Sequence, residues 1–252
     1  VYEFINTGKH FAGVNLGVYG TNQFKDSMFN VESGVASFYY KTNLTDTFQF
    51  RISPFASKTW LTGSPHNWSY GTSTGVSYQP VRWTWTDLNG SFSNVEFTDN
   101  PEYPQENRNS KNYNATMKQN FRFDSLLLNK MVTYFGAWVF CGRSNSDGSS
   151  YSNSNWGMGV QTQQEFPWDF TILLSYGYGR YAYENANIRS ATNDKRDDSN
   201  HTVSANVFKK LPMILKNLSA YAGWRWYKND SNIPRYYSYS SGTYSMGVVL
   251  DF

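Results

Sequence analysis

Apolar and polar residues alternate with a period of two along most of this chain. Within residues 11–21 the apolar set is Ala12, Val14, Leu16 and Val18, with Gly13, Asn15, Gly17 and Tyr19 between them. Residues 47–59 set Phe48, Phe50 and Ile52 against Gln49, Arg51 and Ser53. Residues 114–124 set Ala115, Met117, Phe121 and Phe123 against Thr116, Lys118, Asn120, Arg122 and Asp124. The same alternation recurs at 156–165, 168–178 and 218–227, where Gly157, Gly159, Gln161, Gln163, Glu165, Asp169, Ser175 and Arg225 share the polar side. Successive side chains of a strand point to opposite faces, so each stretch predicts a strand with one apolar and one polar face. Segments 29–41 and 131–141 are apolar on both faces, 70–97 predicts two strands around a turn near Pro80, and 202–208 is short. Helical periodicity is almost absent.

About twelve strands of roughly ten to fifteen residues result, longer than the five or six usual in soluble sheets and suited to a tilted membrane-crossing strand. Ten or fourteen strands are the alternatives, because 70–97 and the first residues are ambiguous. Short connections are predicted at 41–46, 80–81, 125–130, 165–167 and 211–217. Longer ones, rich in Asn, Ser, Asp, Gly and Pro, are predicted at 60–68, 98–113, 143–155, 183–200 and 228–242, with 22–28 intermediate.

Composition decides what such strands face. Charged residues are 16% of the 252 and aromatics 19%, against roughly 25% charged in soluble domains. A packed soluble core admits few charged groups, yet one face here carries Arg51, Lys118, Arg122, Asp124, Glu165, Asp169, Arg225 and Asp251. In lipid, where no water serves the backbone, strands must pair into a closed ring whose outside is apolar and whose lumen is polar. The pattern therefore predicts an all-β, closed antiparallel transmembrane barrel spanning residues 1–252 as one domain, in preference to a soluble sandwich. Trp60, Trp68, Trp83, Trp85, Trp156, Trp168, Trp224, Trp226, Tyr176, Tyr178 and Tyr244 would form its interfacial girdles. An even strand count would place both termini on the short-turn, periplasmic side. The net charge of +3 is scattered, which speaks against a nucleic-acid partner. Cys141 is alone, so no intrachain disulfide or cysteine metal site is expected. No apolar run is long enough for a membrane helix and no signal peptide is evident.

The last residues, TYSMGVVLDF, place Tyr244, Met246, Val248, Leu250 and Phe252 at alternate positions. This ending resembles the terminal signal of bacterial outer-membrane proteins, and the resemblance implies recognition by the barrel-assembly machinery, an outer-membrane location, and lipid and lipopolysaccharide as surroundings. From Arg196 onward, RDDSNHTVSANVFKKL and LSAYAGWRWYKNDSNIPRYYSYSSGTYSMGVVLDF resemble the final strands of barrels fused to periplasmic tetratricopeptide repeats, including surface-lipoprotein and exopolysaccharide exporters. Arg196, Asp197, Asp198, Asn229, Ser231, Asn232, Tyr237 and Tyr239 carry that resemblance. It implies export and a periplasmic domain or partner.

The charged polar face supplies the candidate chemistry. Lys118 and Arg122 lie about 13 Å apart along one strand, and Arg51 and Arg225 join them from others, with Asp124, Glu165, Asp169 and Asp251 as balancing acids. They predict either charged rings tuning a pore or an ion-pair network bracing a filled lumen. No catalytic residue is assigned: neither His66 with Ser69, expected in a loop, nor His201 with Ser204 offers the His-x-Ser spacing that a nucleophile and base on one strand face require. Residues 193–200 resemble a solvated loop more than a calcium site, since Asp194, Asp197 and Asp198 lack the spacing and glycine of a calcium loop. No metal or cofactor is expected. The functional expectation is a conduit for small polar solutes or an exported polymer, passive or gated. The alternative is a plugged structural or adhesin-type barrel acting through the loops at 98–113 and 183–200.

Overall fold

The computed structural model describes residues 2–21, 31–98, 107–126, 131–187, 190, 194–211 and 218–250. Thirteen strands form a single antiparallel sheet in which each strand pairs with its neighbours in sequence. They are β1 (Tyr2–Asn6), β2 (His10–Thr21), β3 (Val31–Asn43), β4 (Phe48–Leu61), β5 (Ser64–Val81), β6 (Thr84–Phe97), β7 (Ser110–Asp124), β8 (Val132–Ser146), β9 (Asn153–Phe166), β10 (Phe170–Ala186), β11 (Lys195–Lys210), β12 (Leu218–Ser231) and β13 (Tyr239–Leu250). Among the described residues no helix is long and apolar enough to cross a membrane.

Long strands occupy most of the expected positions, β11 runs sixteen residues where a short strand was expected at 202–208, and β1 is an addition. It pairs with β2 only at Phe11–Val14. Thirteen strands run β1 and β13 in the same direction, so parity no longer places both termini at one end. Among the described residues, the outer edge of β13 and the edge of β2 beyond Val14 have no strand partner. Exposure marks these edges: Leu16 and Val18 are 77% and 88% exposed and Met246 is 85%, whereas mid-sheet Leu88 and Met117 are 51% and 47%.

Several connections are shorter than predicted. The long connection expected at 60–68 is a two-residue hairpin, with Thr62 at φ 50° and Gly63 at φ 77°. Two left-handed residues match the right-handed twist of the flanking strands, and glycine adopts that φ at little cost. His66 consequently lies in β5, not in a loop. Hydrogen-bonded pairing also extends into the predicted loops 98–113, 143–155, 183–200 and 228–242, so that Lys195–Asn200 belongs to β11. The link before β10 is the turn Pro167–Asp169, where Trp168 and Asp169 both have left-handed φ near 63°. Asp169 is therefore an exposed turn residue and not part of the polar strand face.

The burial pattern inverts that of a soluble domain. Ala12 and Ile233 are the buried hydrophobics among the described residues, while Ser33, Asn120, Asp198 and Asn229 are buried polar groups. Leu88, Met117, Val139, Met158, Leu174 and Trp224 remain exposed on the other face. A sandwich would bury that apolar face.

Candidate functional site

Register decides which polar-face residues meet. Asp87 on β6 pairs with Lys118 on β7, which pairs in turn with Trp138 on β8. The Ser77 hydroxyl donates to Asp87 Oδ1 at 2.6 Å, and Asn120 Nδ2 donates to Asp87 Oδ2 at 2.9 Å. One carboxylate thus gathers a hydroxyl, an amide and an opposed ammonium from β5 to β7. Arg51 on β4 donates from Nη2 to Asn89 Oδ1 at 3.2 Å, one pleat from Asp87. Arg122 pairs with Asp124 two residues along the same strand, Nε to Oδ1 at 3.1 Å, and Glu165 lies near enough to add to the negative field at Arg122. A polar cavity of about 390 Å³ opens between Gln49, Ser77, Arg82, Asp87, Arg122 and Tyr134. Arg225 lies apart, on β12, in a second cavity of about 340 Å³ with Trp138, Ser175, Tyr181, Asn200 and Tyr227. The expected residues therefore divide between two groups. Asp251 and Phe252 lie outside the described residues.

Asp87, Asn89 and Asn120 were absent from the expected site. The signal was available in the alternation of Asp87 and Asn89 within TWTDLNGSF, but only register reveals Asp87 opposite Lys118. Trp85 was expected in a girdle. It lies instead on the polar face, in register with Asn120, with its ring edge-on to Tyr134 at 6.2 Å.

Aromatic rings also lie flat against this face. Trp138 and Phe140 cover Gly159 and Gly157, where a Cβ would overlap the rings and also crowd the β10 backbone carbonyls. These two glycines relieve crowding at the wall. Gly159→Leu should push Trp138 off the wall and cost about 1–3 kcal/mol by overpacking. A urea midpoint equal to wild type would contradict this seating.

A third cluster sits at the far end of β10–β12. The Arg196 guanidinium pairs with Asp198; their side chains are 12% and 3% exposed. It lies 3.6 Å from the Tyr237 ring centroid and 4.4 Å from that of Tyr183. Tyr237 belongs to the single helical turn Pro234–Tyr237 between β12 and β13. It accepts a hydrogen bond from Asn229 Nδ2 at its backbone oxygen (2.7 Å) and from Asn187 Nδ2 at its hydroxyl (3.0 Å). Asn232 secures the same connection, accepting from the Asp197 amide and donating to the Lys195 carbonyl. Asp197 faces the other side and pairs with Arg180 at 2.6 Å. Arginines thus occupy Asp197 and Asp198, two of the three carboxylates named for calcium, and no metal-binding cluster occurs among the described residues. Most of the residues that carried the exporter resemblance converge here.

On the apolar face, the even-numbered series of β13 projects outward: Tyr244 is 81% exposed, Met246 85% and Val248 69%. Leu250 continues the strand, in register with Leu218. His10 and His201 also lie on this side, hydrogen-bonded to Tyr40 (2.8 Å) and Tyr176 (3.0 Å).

The chain is similar to several solved structures and to one protein family. The β domain of the Bordetella autotransporter BrkA is similar over 97% of this chain and 99% of that chain, at 9% identity and TM-score 0.48. The translocator domain of autotransporter NalP from Neisseria meningitidis is similar over 99% and 90%, at 8% and 0.41. LpxR from Salmonella typhimurium is similar over 86% and 88%, at 11% and 0.43. No curated protein matches the chain. The family model of the surface lipoprotein assembly modifier matches residues 4–250, nearly the whole length. The chain therefore belongs to the surface lipoprotein assembly modifier family and is an outer-membrane protein of β-barrel fold.

Proposed function

We propose that the sheet closes into a barrel whose polar face lines a lumen, and that this lumen serves the passage or placement of lipoproteins at the cell surface. The observation that carries the reading is the family match over residues 4–250. It favours the exported polymer over the small solute. The lining fits a polymer path: Lys118 with Asp87, Arg122 with Asp124 and Arg51 with Asn89 offset or satisfy one another. Such a wall is wet without a strong field of one sign, which lets a mixed polypeptide pass without being held. The Pro234–Tyr237 turn, drawn over polar-face Arg196, supports gated rather than freely open passage. Lipid would lie against the apolar face. The exposed β13 series Tyr244, Met246 and Val248 would present the signal to the barrel-assembly machinery, and a periplasmic partner would deliver the cargo.

The test is surface display. Co-expression of the protein with a tagged lipoprotein in a Gram-negative host that lacks it should render the tag sensitive to external protease on intact cells. Continued protection, with the barrel folded in the membrane, would overturn the proposal. In planar bilayers, Lys118→Glu with Arg122→Glu should shift ion preference towards cations if both residues line the lumen. Unchanged selectivity in a conducting protein would remove them from the lining.

A further inference from the structure

The apolar face is not uniform, and a deep irregularity on it follows the register. Phe50, Val76, Leu88, Met117 and Val139 form a cross-strand row of bulky groups from β4 to β8. The next apolar-face row is small: Thr74 pairs with Gly90, Gly90 with Ala115, and Ala115 with Cys141. Beyond it Phe92 and Tyr113 rise again, their rings 5.2 Å apart. The small residues leave a trench across the strands, lined by them and by the row from Phe50 to Val139, with a volume of about 490 Å³. That lies within the ~300–1,000 Å³ of ordinary ligand sites. Its floor is open at Gly90, where an added Cβ would meet nothing nearer than Thr74 Oγ1 at 3.7 Å.

The trench has a direction. Strands of a membrane barrel tilt by about 35–45°, so a hydrogen-bonded row climbs relative to the membrane plane. The floor row continues from Cys141 to Trp156, Arg180, Ser199 and Asp230. It passes from small, uncharged positions on β5–β7 to an interfacial tryptophan and then to charged groups on β10 and β12. A flexible chain in the trench would have its tail at hydrocarbon depth and its head at the polar boundary. The cations there are already offset, Arg180 by Asp197 at 2.6 Å and Arg143 by Glu184 at 2.9 Å. That boundary offers little excess positive charge to a phosphate and suits an uncharged head.

From this geometry we infer that the trench floored by Thr74, Gly90, Ala115 and Cys141 binds an acyl chain of a lipoprotein's diacylglyceryl-cysteine anchor. The inference rests on the proposed role in lipoprotein placement and adds a holding site for the anchor, on the lipid side of the wall that the polypeptide passes.

Cys141 is the chain's single cysteine and is exposed at the trench end, which makes it a reporter. The protein, bimane-labelled at Cys141 in phospholipid nanodiscs, would be titrated with a synthetic diacylglyceryl-cysteine peptide bearing brominated chains. Brominated phosphatidylethanolamine of equal chain length and lipid A would serve as competing occupants. The lipopeptide should reach half-quenching at about tenfold lower mole fraction than either, the effect of roughly two additional buried methylenes. Gly90→Phe, which fills the floor, should abolish the preference, and Ala115→Phe provides the same test if the first variant fails to fold. Equal quenching by the phospholipid, a preference for lipid A, or a preference that survives either filled variant would overturn the inference. Surface display is scored separately. Display with no lipopeptide preference overturns the trench alone, and a preference without display supports the trench while overturning the delivery role.

Discussion

Arg196→Ala should be the most damaging single truncation at the long-connection end of the wall. It leaves the Asp198 carboxylate, 3% exposed, without its cation. Removing one partner of a buried pair costs about 3–5 kcal/mol, because the remaining charge stays desolvated. The guanidinium also holds Tyr237 and Tyr183 through their ring faces, a further ~1–2 kcal/mol where the contact is shielded from water. The connection between β12 and β13 should then loosen, and protease should cut within residues 232–238 while the rest of the wall persists. Arg196→Met with Asp198→Leu should recover most of the loss, since an apolar pair of similar bulk leaves no uncompensated charge. A urea midpoint within error of wild type for Arg196→Ala would contradict the buried-pair assignment.

Leu88→Arg should be nearly as severe, for a different reason. Leu88 sits mid-strand on the apolar face, 51% exposed to what would be hydrocarbon. An arginine at the bilayer midplane of a barrel costs about 2–4 kcal/mol. Ser91→Arg, three residues along β6 on the opposite face, should cost less than about 1 kcal/mol, because its side chain would enter a wet, polar setting. Equilibrium unfolding from lipid vesicles measures both. Equal costs for the two would mean that the faces are not separated by lipid and water.

Period two is a local signal, and what it encodes was legible residue by residue. The apolar sets of β2, β4, β7, β9, β10, β12 and β13 all project to one face as read from the sequence, and Lys118, Arg122 and Arg225 lie on the other. Cross-strand identity is not local. Lys118 was visible as a polar-face cation, but its opposition to Asp87 depends on the register between β6 and β7, which no local pattern fixes. Pro80 interrupts the alternation, so the residues alone do not set the phase of the strand that follows, and Trp85 turns to the polar face instead of the expected girdle. Loop length misled at Thr62–Gly63, where a polar, glycine-containing stretch resembles a long loop but closes in two left-handed residues. Arg196 and Asp198 misled in the same way. A run of charges resembles a solvated loop until tyrosines from two other segments close over it. Asp169 failed because Pro167 starts a turn that removes it from the alternation.

One face of this sheet should meet lipid and the other water. A cysteine scan of β7 tests this most directly. In a Cys141→Ser background, single cysteines at Ala115, Thr116, Met117, Lys118, Gln119 and Asn120 would be exposed to a membrane-impermeant maleimide after reconstitution in vesicles. Labelling should alternate, with Thr116 and Lys118 reacting and Ala115, Met117 and Gln119 protected until the bilayer is dissolved, while Asn120, buried against Asp87, should react only slowly. Uniform labelling, or the opposite alternation, would contradict the account.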